Sequence, residues 1–146
     1  MAEFNYEKPF QHGADDTKYR LITKDFVETV EFDGRKILKV KPEGLQLLAK
    51  EAMADVSFFL RNSHLKSVAK ILDDKESTDN DRFVAHTMLL NSVVAAEGQL
   101  PTCQDTGTAI IMGKKGENVY TGVNDGEFLS KGIYDTYKER NLRFSQ

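Results

Sequence analysis

The clearest local pattern in the chain is a pair of apolar, β-branched runs separated by a turn dipeptide. Residues 27–32 and 35–40 both mix apolar and charged side chains, and Asp33-Gly34 lies between them. β-branched residues favour strands, and Asp-Gly is a preferred pair for a two-residue type I′ turn, which needs positive φ at both positions. The pattern predicts an antiparallel β-hairpin.

The helical period follows over residues 42–97. Pro42 opens the first predicted helix, Ser63 is expected to cap a shorter second helix, and Gly98 is expected to stop a third over about residues 81–97. Each helix repeats apolar or small residues at spacings of three and four: Leu45, Leu48, Ala49, Ala52, Val56, Phe59 and Leu60; Leu65, Val68, Ala69 and Leu72; Phe83, Thr87, Leu90 and Val94. The middle of the chain is therefore predicted to be a helical bundle that acts as a scaffold.

The last third mixes strand and helix patterns. Residues 106–112 are predicted to form a buried strand, residues 113–116 a turn, and residues 118–121 the partner strand. Residues 125–140 return to the helical period. This predicted helix aligns three residues: Leu129, Ile133 and Tyr137.

These elements give an α+β fold class. An N-terminal β-hairpin and a helical bundle precede a second β-hairpin, which carries a cysteine loop (residues 100–108), and a further helix. Residues 1–18 are polar and are expected to form an irregular arm, and residues 19–146 the N-terminal portion of a larger domain. Leu142 and Phe144 alternate with polar residues like the start of a strand, which suggests truncation at the C-terminal end.

Composition narrows the functional classes. The 20 basic and 23 acidic residues give a net charge of −3, so no bulk positive field favours nucleic acid. No apolar run approaches the roughly 20 residues that cross a membrane, and the acidic N-terminus is unlike a signal peptide. A single cysteine cannot form an internal disulfide, which is typical of a reducing, cytoplasmic compartment.

Cys103 is the strongest candidate for chemistry. A lone cysteine is usually a small buried hydrophobe, but Pro, Gln, Asp and Thr surround this one between a predicted helix and a predicted strand. Such a loop places backbone N–H groups around a thiolate. Cys103 is therefore at least as well interpreted as a ligand or nucleophile.

Other candidate sites are weaker. His12 lies in the arm, His64 is expected to be solvated, and His86 to be packed and hydrogen-bonded within the third helix, so a Cys–His hydrolase is poorly supported. No histidine pair has metal-ligand spacing. Residues 107–115 fail the Walker phosphate-loop pattern, so the lysines at 114 and 115 are interpreted as exposed turn residues. Arg143 could clamp a carboxylate, although a surface arginine is the favoured interpretation.

Residues 98–116 closely resemble the N-terminal part of class I fumarate hydratases, the oxygen-sensitive iron–sulfur hydro-lyases. Their most specific stretch, residues 101–108, is Pro-Thr-Cys-Gln-Asp-Thr-Gly-Thr. The resemblance covers almost the whole chain, including residues 37–40, the helical middle and residues 134–146. The related L-tartrate dehydratase α subunits share a looser version of the motif.

The resemblance implies roles for four residues. Cys103 would be one of three thiolate ligands of a [4Fe–4S] cluster, whose fourth iron acts as a Lewis acid on the substrate hydroxyl. Gln104 and Asp105 match positions that contact the substrate or its hydroxyl, and Arg143 matches an arginine that binds a substrate carboxylate. The complete protein would reversibly hydrate fumarate to (S)-malate in the citric acid cycle, as a homodimer acting on a small dicarboxylate.

The chain differs from the family in the number of cluster cysteines that it contains. It holds one of three cluster cysteines, so the other ligands and the general base would lie in the remainder of the enzyme. The chain alone is therefore predicted to be inactive. The alternatives are a non-catalytic helical interaction module or truncated paralogue, and a hydro-lyase for L-tartrate or mesaconate.

Overall fold

A computed structural model of the protein describes residue 5, residues 19–103 and residues 107–142. This part contains a three-stranded sheet and four helices. In chain order the elements are β1 (Val27–Phe32), β2 (Arg35–Val40), α1 (Pro42–Phe58), α2 (Asn62–Asp73), α3 (Asp79–Ala96), β3 (Val119–Tyr120) and α4 (Asp125–Glu139). The expected α+β class is confirmed.

The N-terminal hairpin forms as predicted. β1 and β2 pair antiparallel, with Val27 opposite Val40 and Phe32 opposite Arg35. The turn residues Asp33 and Gly34 have φ of 50° and 69°, the left-handed geometry that a type I′ turn requires.

The predicted second hairpin is wrong. Residues 107–112 form no strand, and Ile110 and Met112 are 79% and 91% exposed. β3 instead pairs parallel with β2, placing Val119 beside Leu38, and the Leu38 N–H donates to the Asn118 carbonyl at 2.8 Å. The apolar run at 107–112 is typical of a strand in composition, but the partner expected for it is bonded to β2 instead. Val119 and Tyr120 pair with Leu38 and Lys39, 81 residues earlier, and local periodicity does not encode such long-range pairing.

α1 and α4 pack directly against each other. Gly132 of α4 is buried against α1, where a Cβ atom would lie 2.8 Å from the Cβ of Ala49 and 2.9 Å from the N of Lys50. The Thr136 hydroxyl, also buried, lies 2.9 Å from the Lys50 carbonyl and 3.0 Å from the Gly132 carbonyl. Small residues therefore bring the two helix backbones into close contact.

Polar side chains close the edges of this helix pair. The Gln46 amide donates to the Asp135 carboxylate at 2.5 Å, and Lys50 forms an ion pair with Glu139 at 2.6 Å. The predicted helix over residues 125–140 is confirmed. Its aligned residues are half-buried: Leu129, Ile133 and Tyr137.

α2 and α3 form a second packed pair. The predicted apolar side of α2 is at least half-buried, with Val68 buried. Ser63 does not cap α2: Arg61 is the N-cap, and Ser63 lies in the first turn, where its carbonyl accepts from Ser67. α3 begins with a capping box, in which Thr78 and Asp81 each accept from the other's backbone N–H. It ends as predicted before Gly98, whose φ is 77°.

The predicted core faces of α1 and α3 are not fully covered. The α1 face is buried only in part: Ala49 is 4% exposed, whereas Leu48, Val56 and, just after the helix, Phe59 are 50%, 61% and 55% exposed, because the buried side of α1 includes Ser57 instead. On α3 the predicted side is exposed throughout: Phe83, Thr87, Leu90 and Val94. The single bundle is thus two helix pairs with uncovered apolar stripes. Among the described residues, no helix combines the length and apolar character that a membrane crossing requires.

Candidate functional site at the cysteine loop

The cysteine loop begins where α3 ends. The Gly98 N–H donates to the Ala95 carbonyl at 2.9 Å, and the positive φ of Gly98 turns the chain away from the helix axis. Thr102 is then buried, and its N–H donates to the Ser57 carbonyl at 2.9 Å. The loop is therefore tied by its backbone to the last turn of α1.

Cys103 follows immediately and is exposed. Its N–H donates to Oδ1 of Asn91 at 3.1 Å. Asn91 is a half-buried residue of α3, so the backbone of the cysteine is held by a second helix. A loop positioned by two rigid elements is a common setting for functional residues.

Three of the four predicted site residues lie outside the described residues. These are Gln104, Asp105 and Arg143. The described residues on either side of the gap are Cys103 and Gly107, and Gly107 has a φ of 113°. Next to Arg143, Leu142 is buried, and its N–H donates to the Tyr137 carbonyl at 3.1 Å. Only Cys103 of the predicted set can therefore be placed.

The histidines match one expectation and contradict another. His64 is exposed at the start of α2, as predicted. The prediction of a packed His86 is wrong, because the residue lies on an exposed part of α3 beside the buried Ala85. A step of about 100° along a helix moves a side chain to a different face. His12 lies outside the described residues.

Lys115 belongs to a polar cluster that the sequence analysis missed. Its ammonium donates to the Asp125 carboxylate and, at 3.2 Å, to the Thr121 hydroxyl, which also donates to Asp125. These bonds, from Lys115 foremost and then Thr121, lower the pKa of Asp125 below its ordinary value. The cluster fastens the segment before β3 to the first turn of α4. A pairing ten residues apart has no periodic sequence pattern that would reveal it.

The donor set for an iron–sulfur cluster is partial in this chain. Within residues 19–103 and 107–142, no three side chains of His, Cys, Asp or Glu come together as a set that could hold a metal ion. An exposed thiol on an anchored loop is accessible to a cluster whose other ligands come from elsewhere. Cys103 therefore fits a role as one ligand among several.

Comparisons with known proteins give a consistent result. Residues 46–146 match the family model described as Fumerase, fumarate hydratase. The chain is 58% identical over 143 residues to "Fumarate hydratase class I, anaerobic" of Escherichia coli (strain K12), covering 98% of the chain and 26% of that protein. It is 54% identical to the "Fumarate hydratase class I, aerobic" of the same strain, with the same coverage.

A more distant relative agrees. "Fumarate hydratase 2" of Leishmania major is 47% identical over 145 residues, which cover 99% of the chain and 25% of that protein. The chain thus spans about a quarter of the length of the curated relatives it matches.

Proposed function

Because this chain belongs to the fumarate hydratase family, we propose that it is the N-terminal part of a class I enzyme that reversibly hydrates fumarate to (S)-malate. The observation that carries the proposal is the 58% identity over 98% of the chain to a class I fumarate hydratase. Residues 19–146 would be the N-terminal portion of the hydro-lyase domain, and residues 1–18 an arm preceding it.

Cys103 is proposed as one of three thiolate ligands of a [4Fe–4S] cluster. When bound, such a cluster would supply Lewis acidity toward the substrate hydroxyl. The contribution of this chain is to present the thiol at an exposed position on a loop anchored to α1 and α3. The two remaining thiolates are proposed to come from the remainder of the enzyme, since Cys103 is the only cysteine of this sequence.

Three further residues are proposed to bind the dicarboxylate. Arg143 would hold one substrate carboxylate through its planar guanidinium, which matches that group with two parallel hydrogen bonds. Gln104 would donate from its amide to a carboxylate, and Asp105 would hydrogen-bond the substrate hydroxyl. Fixed donors of this kind hold a substrate in register for elimination without reorganising during the reaction.

The exposed apolar stripes support a partner in the remainder of the enzyme. Phe83 and Leu90 of α3 are 69% and 51% exposed, and Phe59 at the end of α1 is 55% exposed. Large apolar side chains exposed on one side of a helix, as Phe83 and Leu90 are, are characteristic of an interface. We therefore propose that the chain alone is inactive and needs the remainder of the enzyme. We also propose that the complete enzyme is a homodimer. Its proposed compartment is the reducing cytoplasm, where an exposed thiol persists.

The test uses the full-length protein that contains this chain, purified without oxygen. We expect fumarate-to-malate turnover and a visible iron–sulfur absorption band in the wild type. Cys103→Ala should abolish both, because the cluster loses a ligand. Ser67→Ala is the matched control, since this exposed serine bonds only within α2 in the described structure, and it should retain both properties.

Two results would contradict the proposal. Iron content and turnover retained in Cys103→Ala would remove the cysteine from the site. A wild-type protein that loads a cluster but prefers L-tartrate or mesaconate over fumarate would change the substrate. The solution mass of the same preparation checks the dimer.

A further inference from the structure

We infer that Asn91 is a positioning residue for Cys103; this inference rests on the proposed function, in which Cys103 is a cluster ligand. Oδ1 of Asn91 accepts the Cys103 N–H at 3.1 Å. Asn91 is half-buried and lies in α3, twelve residues before the cysteine. A helix residue therefore holds the backbone from which the ligand side chain projects.

The Asn91 bond differs in kind from the other anchor of the loop. Thr102 donates to the backbone carbonyl of Ser57, and almost any residue at position 57 supplies such a carbonyl. The bond to Cys103 needs a side-chain acceptor of the right length at one position of α3. Specificity for this loop conformation thus resides in the amide of Asn91.

Together the two bonds hold successive peptide groups. The N–H groups of Thr102 and Cys103 point to different helices, α1 and α3. With both held, the Cys103 thiol can change position mainly by rotating χ1 among its staggered wells. Preorganisation of this kind reduces the conformational entropy lost when the thiol binds a cluster.

The test compares variants of the full-length protein after anaerobic reconstitution with iron and sulfide. Asn91→Leu has a similar size but no acceptor, whereas Asn91→Asp keeps an Oδ acceptor for the same N–H. Ser92→Ala is the matched control: Ser92 is the next residue, also half-buried, and its hydroxyl donates within α3 to the Met88 carbonyl. Circular dichroism checks that each variant is folded.

The readout is the rate at which the cluster is lost to an iron chelator, followed by the visible absorbance. Removing a group that orients a ligand typically weakens metal binding 10- to 100-fold, so we expect loss to be about 10-fold faster in Asn91→Leu. Asn91→Asp and Ser92→Ala should stay close to the wild type. Amide exchange at Cys103 in the cluster-free protein should be faster in the leucine variant alone.

The outcomes separate the two proposals. A wild-type protein that takes up no cluster would overturn the proposed function. If the wild type takes up a cluster, two results would overturn only the role of Asn91. In the first, Asn91→Leu retains its cluster as well as the wild type does. In the second, Asn91→Asp loses its cluster as fast as Asn91→Leu does. If the leucine variant does not fold, Asn91→Ala takes its place with the same expectations.

Discussion

The contact between α1 and α4 differs from the outer side of α3 in which kinds of side chain are buried. The α1–α4 contact contains Gly132, Thr136 and Ala49, which are buried although none is a large hydrophobe. The outer side of α3 has large apolar residues, such as Phe83 and Leu90, and exposes them. Side-chain hydrophobicity alone would predict the opposite, with the α3 residues buried and those of the α1–α4 contact exposed.

The difference teaches where close packing arises in this chain. Small residues let two backbones approach, and the remaining gap is closed by hydrogen bonds such as that from Thr136 to the Lys50 carbonyl. Large apolar side chains need a second surface to cover them. On α3 the described part of the chain leaves them exposed, on the same helix whose Asn91 accepts a hydrogen bond from the cysteine loop.

The largest effect is expected for Gly132→Val, which tests the contact between α1 and α4. A side chain at this position would meet the Ala49 Cβ and the Lys50 backbone, so α1 and α4 must separate. We expect the free energy of unfolding to fall by about 3 kcal/mol, the upper end for overpacking. Urea unfolding followed by circular dichroism measures it.

The control for that variant is Gly126→Ala in the same helix. A Cβ at position 126 would meet only Asn124 Oδ1, at 3.4 Å. Removing a helical glycine there should leave stability unchanged or raise it by about 0.5–1 kcal/mol. Equal losses in the two variants would show that the close approach of α1 and α4 does not matter.

A smaller effect is expected at the cluster of Lys115, Thr121 and Asp125, which fastens the segment before β3 to the first turn of α4. The folded-state pKa of Asp125 is lowered by Lys115 and then Thr121. Its stabilising contribution is therefore present above the unfolded-state pKa of about 4 and is lost as pH falls through the lower folded value.

Asp125→Asn measures this contribution. The variant should melt at a lower temperature than the wild type at pH 7. The gap should shrink as the pH falls from about 4 through the lower folded-state pKa, because the wild-type carboxylate becomes protonated over that range. Thermal unfolding over a pH series provides the comparison. A gap that is constant with pH would mean that the charge of Asp125 contributes nothing.

The smallest effect is expected for Phe83→Ser in the 146-residue chain. The side chain is 69% exposed, and exposed substitutions usually change stability by no more than about 0.5 kcal/mol. The same urea experiment applies. A loss as large as that of Gly132→Val would show that the α3 stripe is already covered in this chain.

Local chemistry explains what the sequence predicts well. Asp33-Gly34 and Pro42 have conformational preferences that hold in almost any surroundings, and the hairpin turn and the start of α1 follow them. The polar neighbours of Cys103 predict a loop, and the structure places this residue in an exposed loop.

The larger errors concern contacts between residues far apart in sequence. Residues 107–112 have the composition of a buried strand, but β3 pairs with β2 instead. The helical period identified apolar sides of α1 and α3 without showing whether this chain covers them. Asn91 gave no sequence signal at all, because one amide on a helix is ordinary until the loop packs beside it. Gln104, Asp105 and Arg143 remain predictions.

The parallel pairing of β3 with β2 has a consequence for the order of folding. β1 and β2 are joined by two residues, whereas α1, α2, α3 and the cysteine loop all lie between β2 and β3. Closing so long a loop is entropically expensive and slow, while a hairpin forms in roughly 1–10 μs. We expect the Leu38 amide, which bonds to Asn118, to gain exchange protection after the amides of the β1–β2 hairpin. The cysteine would then be presented late, on a chain whose helices have already formed.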